Sequence, residues 1–223
     1  MALIGANPVL VTRSPDGTIG GVSVDLGKFI AEKLGVPFVP VVYADPDAYT
    51  RSFGTGEWDI AIGPRRGTEI VAYTPDFMFV DNLYVAAPGR EFGDVSQVDR
   101  PGIKVAVAQN GAPDTFLTKT LKSAEIVRVP GRLDAAIEVL RTGRADVYGS
   151  NGQFVYDVVQ GLRGAKIVPG AFTTVHMAVA FSKSLSLIGQ ERLAQIVCEA
   201  KASGLVQKSI ERAELKGVRA ASD

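Results

Sequence analysis

The chain has 223 residues, with 24 Lys+Arg against 24 Asp+Glu and a formal net charge of zero. Apolar residues make up 46% and charged residues 22%, which is the balance of a folded protein and excludes a disordered or collagen-like chain. A nucleic-acid binder would carry a basic excess, and a Cys/His zinc site would need more than the single cysteine, Cys198, and the single histidine, His176.

The length allows one large domain or two small lobes. Leu3 to Val11 reads as a strand end that runs into a loop at Asn7-Pro8, and Ser14-Pro15-Asp16-Gly17 is a turn. A helix is expected after Ser23, with Leu26, Phe29, Ile30 and Leu34 on one face; Gly35 stops it and Pro37 follows. Phe38 to Tyr43 has a strand's composition, Pro46 to Phe53 a helix's, and Asp59 to Gly63 forms the next strand. A loop, Pro64-Arg65-Arg66-Gly67, precedes a further strand over Leu83 to Ala87. The polar stretch from Arg90 to Gly102 reads as the passage into a second lobe. Beyond it, strands at Ile103 to Val107, Ile126 to Val129 and Asp146 to Gly149 alternate with helices carrying Phe116, Leu117 and Leu121, then Leu133, Ile137 and Leu140, then Phe154 to Val159. Val175 to Phe181 is a long strand, and the chain ends in a helix with Leu193, Ile196, Val197 and Ala200 on one face. Short strands alternating with helices predict an α/β fold with a mostly parallel sheet. Gly56-Glu57-Trp58-Asp59-Ile60 and Gly143-Arg144-Ala145-Asp146-Val147 share the pattern Gly-x-x-Asp-aliphatic, each at a helix-to-strand corner, which suggests two lobes of similar plan.

Catalytic equipment is sparse. His176 lies in an alternating strand and faces a cleft or solvent, and Cys198 sits on the apolar face of a helix as a structural thiol. There is no Gly-x-Ser-x-Gly elbow, no phosphate loop and no carboxylate pair that stands out, so no catalytic residue, metal or cofactor is assigned. Anion binding has better support. Arg65 and Arg66 follow a strand, where ligands of open α/β sheets bind, and a guanidinium grips a carboxylate through paired hydrogen bonds. Gln109-Asn110-Gly111-Ala112 occupies the matching place in the second lobe and opens a helix, so its backbone N–H groups can meet an anion.

These segments, in this order, resemble the solute-binding proteins of ABC transporters, in the branch that binds polar amino acids and related small acids. Gly20-Gly21-Val22-Ser23-Val24-Asp25-Leu26 is similar to the family's "Gly-Phe-Asp-Val-Asp-Leu" opening of the first helix, continued by Ile30-Ala31-Glu32-Lys33-Leu34-Gly35. Gly56 to Ile60 matches its "Leu-x-x-Gly-x-x-Asp" corner, and Tyr73-Thr74-Pro75-Asp76-Phe77 stands at its "Phe-Ser-x-Pro-Tyr". Lys104-Val105-Ala106-Val107 with Asn110-Gly111 resembles its "Val-Ala-Val-x-x-Gly-Ser" start of the second lobe. The resemblance runs from about Ile4 to Leu215 and implies a type II periplasmic-binding fold. Two α/β lobes, residues 1–86 plus 181–223 and residues 87–180, would be joined by two crossing strands.

It also implies a non-enzymatic, monomeric periplasmic protein whose signal peptide is gone. Such a protein captures a small amino acid or organic acid between its lobes and delivers it to an ABC permease. The family's carboxylate-binding arginine falls at Arg65 or Arg66, with a slight lean to Arg66; its "Thr-x-x-Arg" segment is not intact here. Gly63 would offer its carbonyl, Asn110, Gly111 and Ala112 would hold the carboxylate from the second lobe, and Asn7, Tyr43 and His176 would line the pocket. Asn151 stands where amino-acid binders often carry the aspartate that pairs with the ligand's ammonium, which admits a ligand without an amine unless Asp81 or Asp157 takes that part. A sensing module of a receptor and a cyclohexadienyl-dehydratase-like enzyme are the alternatives on the same fold.

Overall fold

The computed structural model describes residues 1–5 and 9–222; Asn7 lies outside them. In chain order the elements are β1 (Ala2–Ile4), β2 (Thr12–Arg13), β3 (Ile19–Gly20), α1 (Val22–Leu34), β4 (Val41–Tyr43), α2 (Pro46–Arg51), β5 (Ile60–Pro64), β6 (Val71–Tyr73) and β7 (Met78–Ala86). They continue with β8 (Lys104–Ala108), α3 (Ala112–Thr120), β9 (Glu125–Val129), α4 (Leu133–Arg141), β10 (Val147–Asn151), α5 (Gly152–Gly161), β11 (Lys166–Ile167), β12 (Thr173–Ser182), α6 (Leu187–Ala202), α7 (Leu205–Arg212) and β13 (Val218–Ala220). Contacts divide the chain into unit 1 (Met1–Phe79, Val175–Leu215, Arg219–Asp223) and unit 2 (Val80–Thr174, Lys216–Val218). Among the described residues no helix is long and apolar enough to cross a membrane.

In unit 1 the strand order is β4-β1-β5-β12. β1 pairs in parallel with β4 and β5, so the chain leaves β1 and β5 at the same end of the sheet. β12 runs antiparallel to β5, and β6 pairs with its other edge. Ala2, Leu3 and Ile4 are wholly buried, as a strand covered on both faces must be. α1 packs on this sheet and buries Val22, Val24, Leu26, Ile30 and Ala31, and α6, which packs against α1, buries Leu193, Ile196, Val197 and Ala200. α1 begins earlier than expected. Gly21, at φ 101°, is its N-cap, and Ser23 is buried inside its first turn. α7 is anchored on α1 by Ser209 and Arg212, both of which donate to Asp25.

In unit 2 the order is β7-β10-β8-β9, with β10, β8 and β9 parallel, β7 antiparallel to β10, and β11 beside β7. Period-two alternation sends successive residues to opposite faces, and both faces are packed. Val85, Ala106 and Tyr148 join Val139, Leu140, Val155 and Val158 of α4 and α5 on one side. Tyr84, Val105, Val107 and Val147 join Leu117 of α3 and Val168 on the other. The two echoing corners carry their glycines in the left-handed region, Gly56 at φ 81° and Gly143 at φ 67°. The second corner is tied down by Asp146, which accepts from Lys104 N at 2.8 Å and pairs with Arg90 at 2.6 Å.

Candidate functional site

β5 ends at Pro64, and the two arginines that follow part ways. Arg65 N donates to the His176 carbonyl at 2.8 Å, which extends the β5–β12 ladder by one more pair. Two of its three guanidinium nitrogens are engaged inside unit 1. Nε donates to Asp76 Oδ1 at 2.5 Å, another nitrogen donates to the Thr74 carbonyl at 2.6 Å, and the group lies 5.3 Å over the Tyr73 ring. Asp76 Oδ2 meets His176 Nδ1 at 2.7 Å. Burial alone would raise the Asp76 carboxyl, but the hydrogen bonds from Arg65 and His176 outweigh it and hold it below the ordinary value. The exposed His176 ring meets Phe79 edge-on, with centroids 4.9 Å apart.

Among the described residues Arg66 has no such carboxylate partner. Its backbone is clamped, with N donating to Tyr73 Oη at 3.0 Å and the same hydroxyl donating back to its carbonyl. Its Nε is buried, and among the described residues it has no hydrogen-bond partner. The buried Tyr49 phenol is pushed up by burial while the charge of Arg66 pulls the other way. Gly63 packs against Tyr49, since a Cβ there would lie 2.8 Å from the Tyr49 hydroxyl. Hydrogen-bonded pairs alternate along an antiparallel ladder. The 65–176 pair therefore makes Gly63 and Ala178 a bonded pair too, and the Gly63 carbonyl already accepts one bond. Tyr43 gives its hydroxyl to Glu57 Oε2 at 2.6 Å and stands edge-on to Tyr49.

In unit 2 the turn after β8 is built around a buried carboxylate. Asn110 has φ 61°, and its N–H donates to Asp114 Oδ2 at 3.0 Å. Gly111 N donates to the Ala108 carbonyl at 3.1 Å, and Ala112 opens α3. Asp114 also accepts from Thr118 and pairs with Arg128 at 3.0 Å, so the positive end of α3 already faces an internal anion. Asn151 ends β10 and caps α5, its Oδ1 accepting from Phe154 N at 3.0 Å. Asp81 accepts from Thr174 Oγ1 at 2.7 Å, and Asp157 from Gln153 at 3.3 Å. Among the described residues no cluster of His, Cys, Asp and Glu is placed to hold a metal.

No protein-family profile matches the chain. It is 25% identical over 143 residues to cyclohexadienyl dehydratase from Pseudomonas aeruginosa, a match covering 60% of this chain and 52% of that protein. The matched part is thus about half the length of that relative. Solved structures match almost end to end. One is the amino acid ABC transporter substrate-binding protein AbpA from Streptococcus pneumoniae bound to L-arginine, with TM-score 0.66, 21% identity, and 95% and 92% of the two chains covered. Another is the GluR0 ligand binding core in complex with L-glutamate, with TM-score 0.69, 17% identity and 95% of each chain covered. A third is the ancestral amino acid-binding protein AncCDT-1, a precursor of cyclohexadienyl dehydratase, with TM-score 0.66, 18% identity, and 95% and 94% covered. The fold is that of the type II periplasmic binding proteins.

On this fold, sequence reasoning named Arg65, Arg66, Gly63 and His176 separately, and unit 1 brings them to the meeting of β5 and β12. It missed Asp76, which holds Arg65 and His176 together, and Asp114, which fills the turn at Asn110. An aspartate at the third position of a helix is a usual counter-charge for its N-terminus, so Asp114 was open to inference.

Two carboxylates held by several hydrogen bonds make an acid limit. Asp99 accepts backbone N–H groups from Ala124, Ser123 and Lys122 at 2.8–3.0 Å, which pulls it below the ordinary 3.8. Burial raises Asp114, and the bonds from Asn110, Arg128 and Thr118 more than reverse that. A lowered folded-state value gives stability that is full above the unfolded pKa and is lost as pH falls through the folded one. Thermal stability is therefore expected to be insensitive to these groups from pH 7 to 5 and to fall as pH drops below about 4. Asp99→Asn should flatten that acid slope, and an unchanged slope would remove Asp99 from the account.

Proposed function

We propose that this chain is an extracytoplasmic solute-binding protein that takes a small carboxylate-bearing solute, an amino acid or an organic acid, at Arg66 and delivers it to an ABC permease. The observation that carries the reading is the buried Nε of Arg66 just past the end of β5, unpartnered among the described residues, beside an Arg65 that is already paired with Asp76. A buried cationic donor without an acceptor is costly, and a ligand carboxylate supplies the missing acceptor. Neighbours on the same fold described as bound to arginine and glutamate support a solute-binding role. The periplasm is the matching compartment.

The test is a thermal-shift screen of the twenty amino acids beside small mono- and dicarboxylates. A ligand at about 100 times its dissociation constant adds roughly 2.7 kcal/mol. For a chain of this size that raises the melting point by about 5–10 °C. A rise with a carboxylate, absent with its amide, is expected; no rise with any of them would remove the carboxylate reading. A second reading, a dehydratase-like enzyme, is favoured by the match to cyclohexadienyl dehydratase. Turnover of prephenate or arogenate would decide for it.

A further inference from the structure

We propose that the Tyr49 hydroxyl is a second donor to the solute's carboxylate, so that unit 1 grips the acid group with a phenol as well as with the Arg66 guanidinium. The inference rests on the carboxylate reading of Arg66 given above and adds a specificity-determining residue to it.

Tyr49 lies in α2, a six-residue helix that begins with Pro46 and is capped by Asp45, which accepts from Ala48 N at 2.7 Å. The residue is 1% exposed, and aromatic rings pack its own ring on two sides. Tyr43 stands edge-on to it at 6.2 Å and Phe53 at 5.2 Å, and Phe53 in turn meets Trp58 at 5.4 Å. The backbone is tied to the same group. Trp58 Nε1 donates to Ser52 Oγ at 2.7 Å, and that hydroxyl donates to the Tyr49 carbonyl at 2.7 Å. A phenylalanine would fill this place equally well. The hydroxyl is what the packing leaves unexplained, because among the described residues it makes no hydrogen bond.

Burying a hydroxyl without a partner is unfavourable, and buried tyrosines ordinarily have one. Here the fold makes room for the group instead of removing it. A Cβ at residue 63 would lie 2.8 Å from Tyr49 Oη and 3.1 Å from its Cζ, so it is the glycine that lets the hydroxyl lie against β5. Three residues further along, just past the strand, comes Arg66, whose buried Nε also lacks a partner among the described residues. The charge of Arg66 is felt at the Tyr49 phenol, and burial pushes that phenol up, which keeps its proton on. Each group therefore offers an N–H or O–H, and neither donates to the other. A carboxylate has two oxygens and accepts strong hydrogen bonds from both kinds of donor, so a single anion meets both needs.

The experiment is isothermal titration of the whole chain, unfolded and refolded first to strip any retained solute. The probes are L-arginine, L-glutamate, pyruvate, succinate and 2-oxoglutarate, titrated into the parent, Tyr49→Phe and Arg66→Ala. The probe that binds the parent most tightly should bind Tyr49→Phe about 10-fold more weakly. The melting temperature of unliganded Tyr49→Phe should stay level or rise slightly, since the ring packing is kept and a buried hydroxyl without a partner is gone. A loss of less than about 5-fold in Tyr49→Phe, with binding abolished in Arg66→Ala, overturns this inference and leaves the carboxylate reading standing. A melting temperature several degrees lower in Tyr49→Phe also overturns it, because the hydroxyl would then have a structural partner. Full affinity in Arg66→Ala, or binding of none of the five probes to the parent, overturns both.

Discussion

An Arg66→Ala variant is expected to lose about 100-fold or more in affinity for its carboxylate, with a melting temperature unchanged or slightly raised. Removing one partner of a desolvated, hydrogen-bonded charge pair costs roughly 2–5 kcal/mol, and each 1.4 kcal/mol is about tenfold in affinity. The unliganded fold loses nothing comparable, because the Arg66 guanidinium pairs with no carboxylate and its Nε bonds to nothing among the described residues. Arg65→Ala is expected to behave in the opposite way. It strips Asp76 of its arginine, leaves the Thr74 carbonyl without that donor, and uncovers the Tyr73 ring. The side chain is 39% exposed, so the loss is about 1–2 kcal/mol after solvent screening, or a few degrees of melting temperature. The pair of variants, measured by titration and by thermal unfolding, separates a ligand contact from a structural ion pair. Loss of binding in Arg65→Ala with full affinity in Arg66→Ala would reverse the two roles, and full affinity in the double variant would take the ligand away from this loop.

Why the two arginines could not be told apart in the sequence is plain from their partners. Asp76 follows Arg65 by 11 residues and reaches it across β6, and His176 is 100 residues from Asp76. Only the pairing of β12 with both β5 and β6 brings the three together. What repeats locally was legible. The corners at Gly56 and Gly143 carry a left-handed glycine because the chain must leave one element and turn into the next, and that demand shows in the residue type. The parallel core strands were legible as continuous apolar runs. β7 was legible only from Leu83 on, because Asp81 and Asn82 interrupt the apolar run, although the strand starts at Met78. The hairpin of β2 and β3 and the short β6 have no periodicity to read over two or three residues. Two of the four passages of the chain between the units lie inside β7 and β12, where alternation continues and no turn residue marks the change. The turn at Asn110 was legible as a turn, but its N–H was read as open to an anion, and Asp114 already accepts from it.

A Gly152→Ala variant should be among the most damaging single-methyl additions to unit 2. In an ordinary helix such a change gains up to about 1 kcal/mol of propensity, so the sign of the effect is diagnostic. Here a Cβ on Gly152 would lie 2.5 Å from Gly217 Cα, 3.0 Å from the Lys216 carbonyl oxygen and 3.2 Å from Gly217 N. All three atoms are backbone, which cannot rotate out of the way as a side chain can. The opposing segment is also held in place, since Lys216 N donates to Gln153 Oε1 at 3.0 Å and the Gly217 carbonyl accepts from Asp81 N at 2.8 Å. Gly217 itself sits at φ 66°, so the close approach needs a glycine on both sides. Forcing the two backbones apart should cost about 3 kcal/mol, the upper part of the range for overpacking. That corresponds to a melting temperature lower by about 6–12 °C. Gly161→Ala, in the last turn of the same helix, is the control. Its Cβ would meet only the Cδ1 and Cγ1 atoms of Ile137, which can move, and the variant should melt within about 2 °C of the parent. If Gly152→Ala melted as high as Gly161→Ala, the contact between residues 152 and 217 would not be one that holds the C-terminal segment on unit 2.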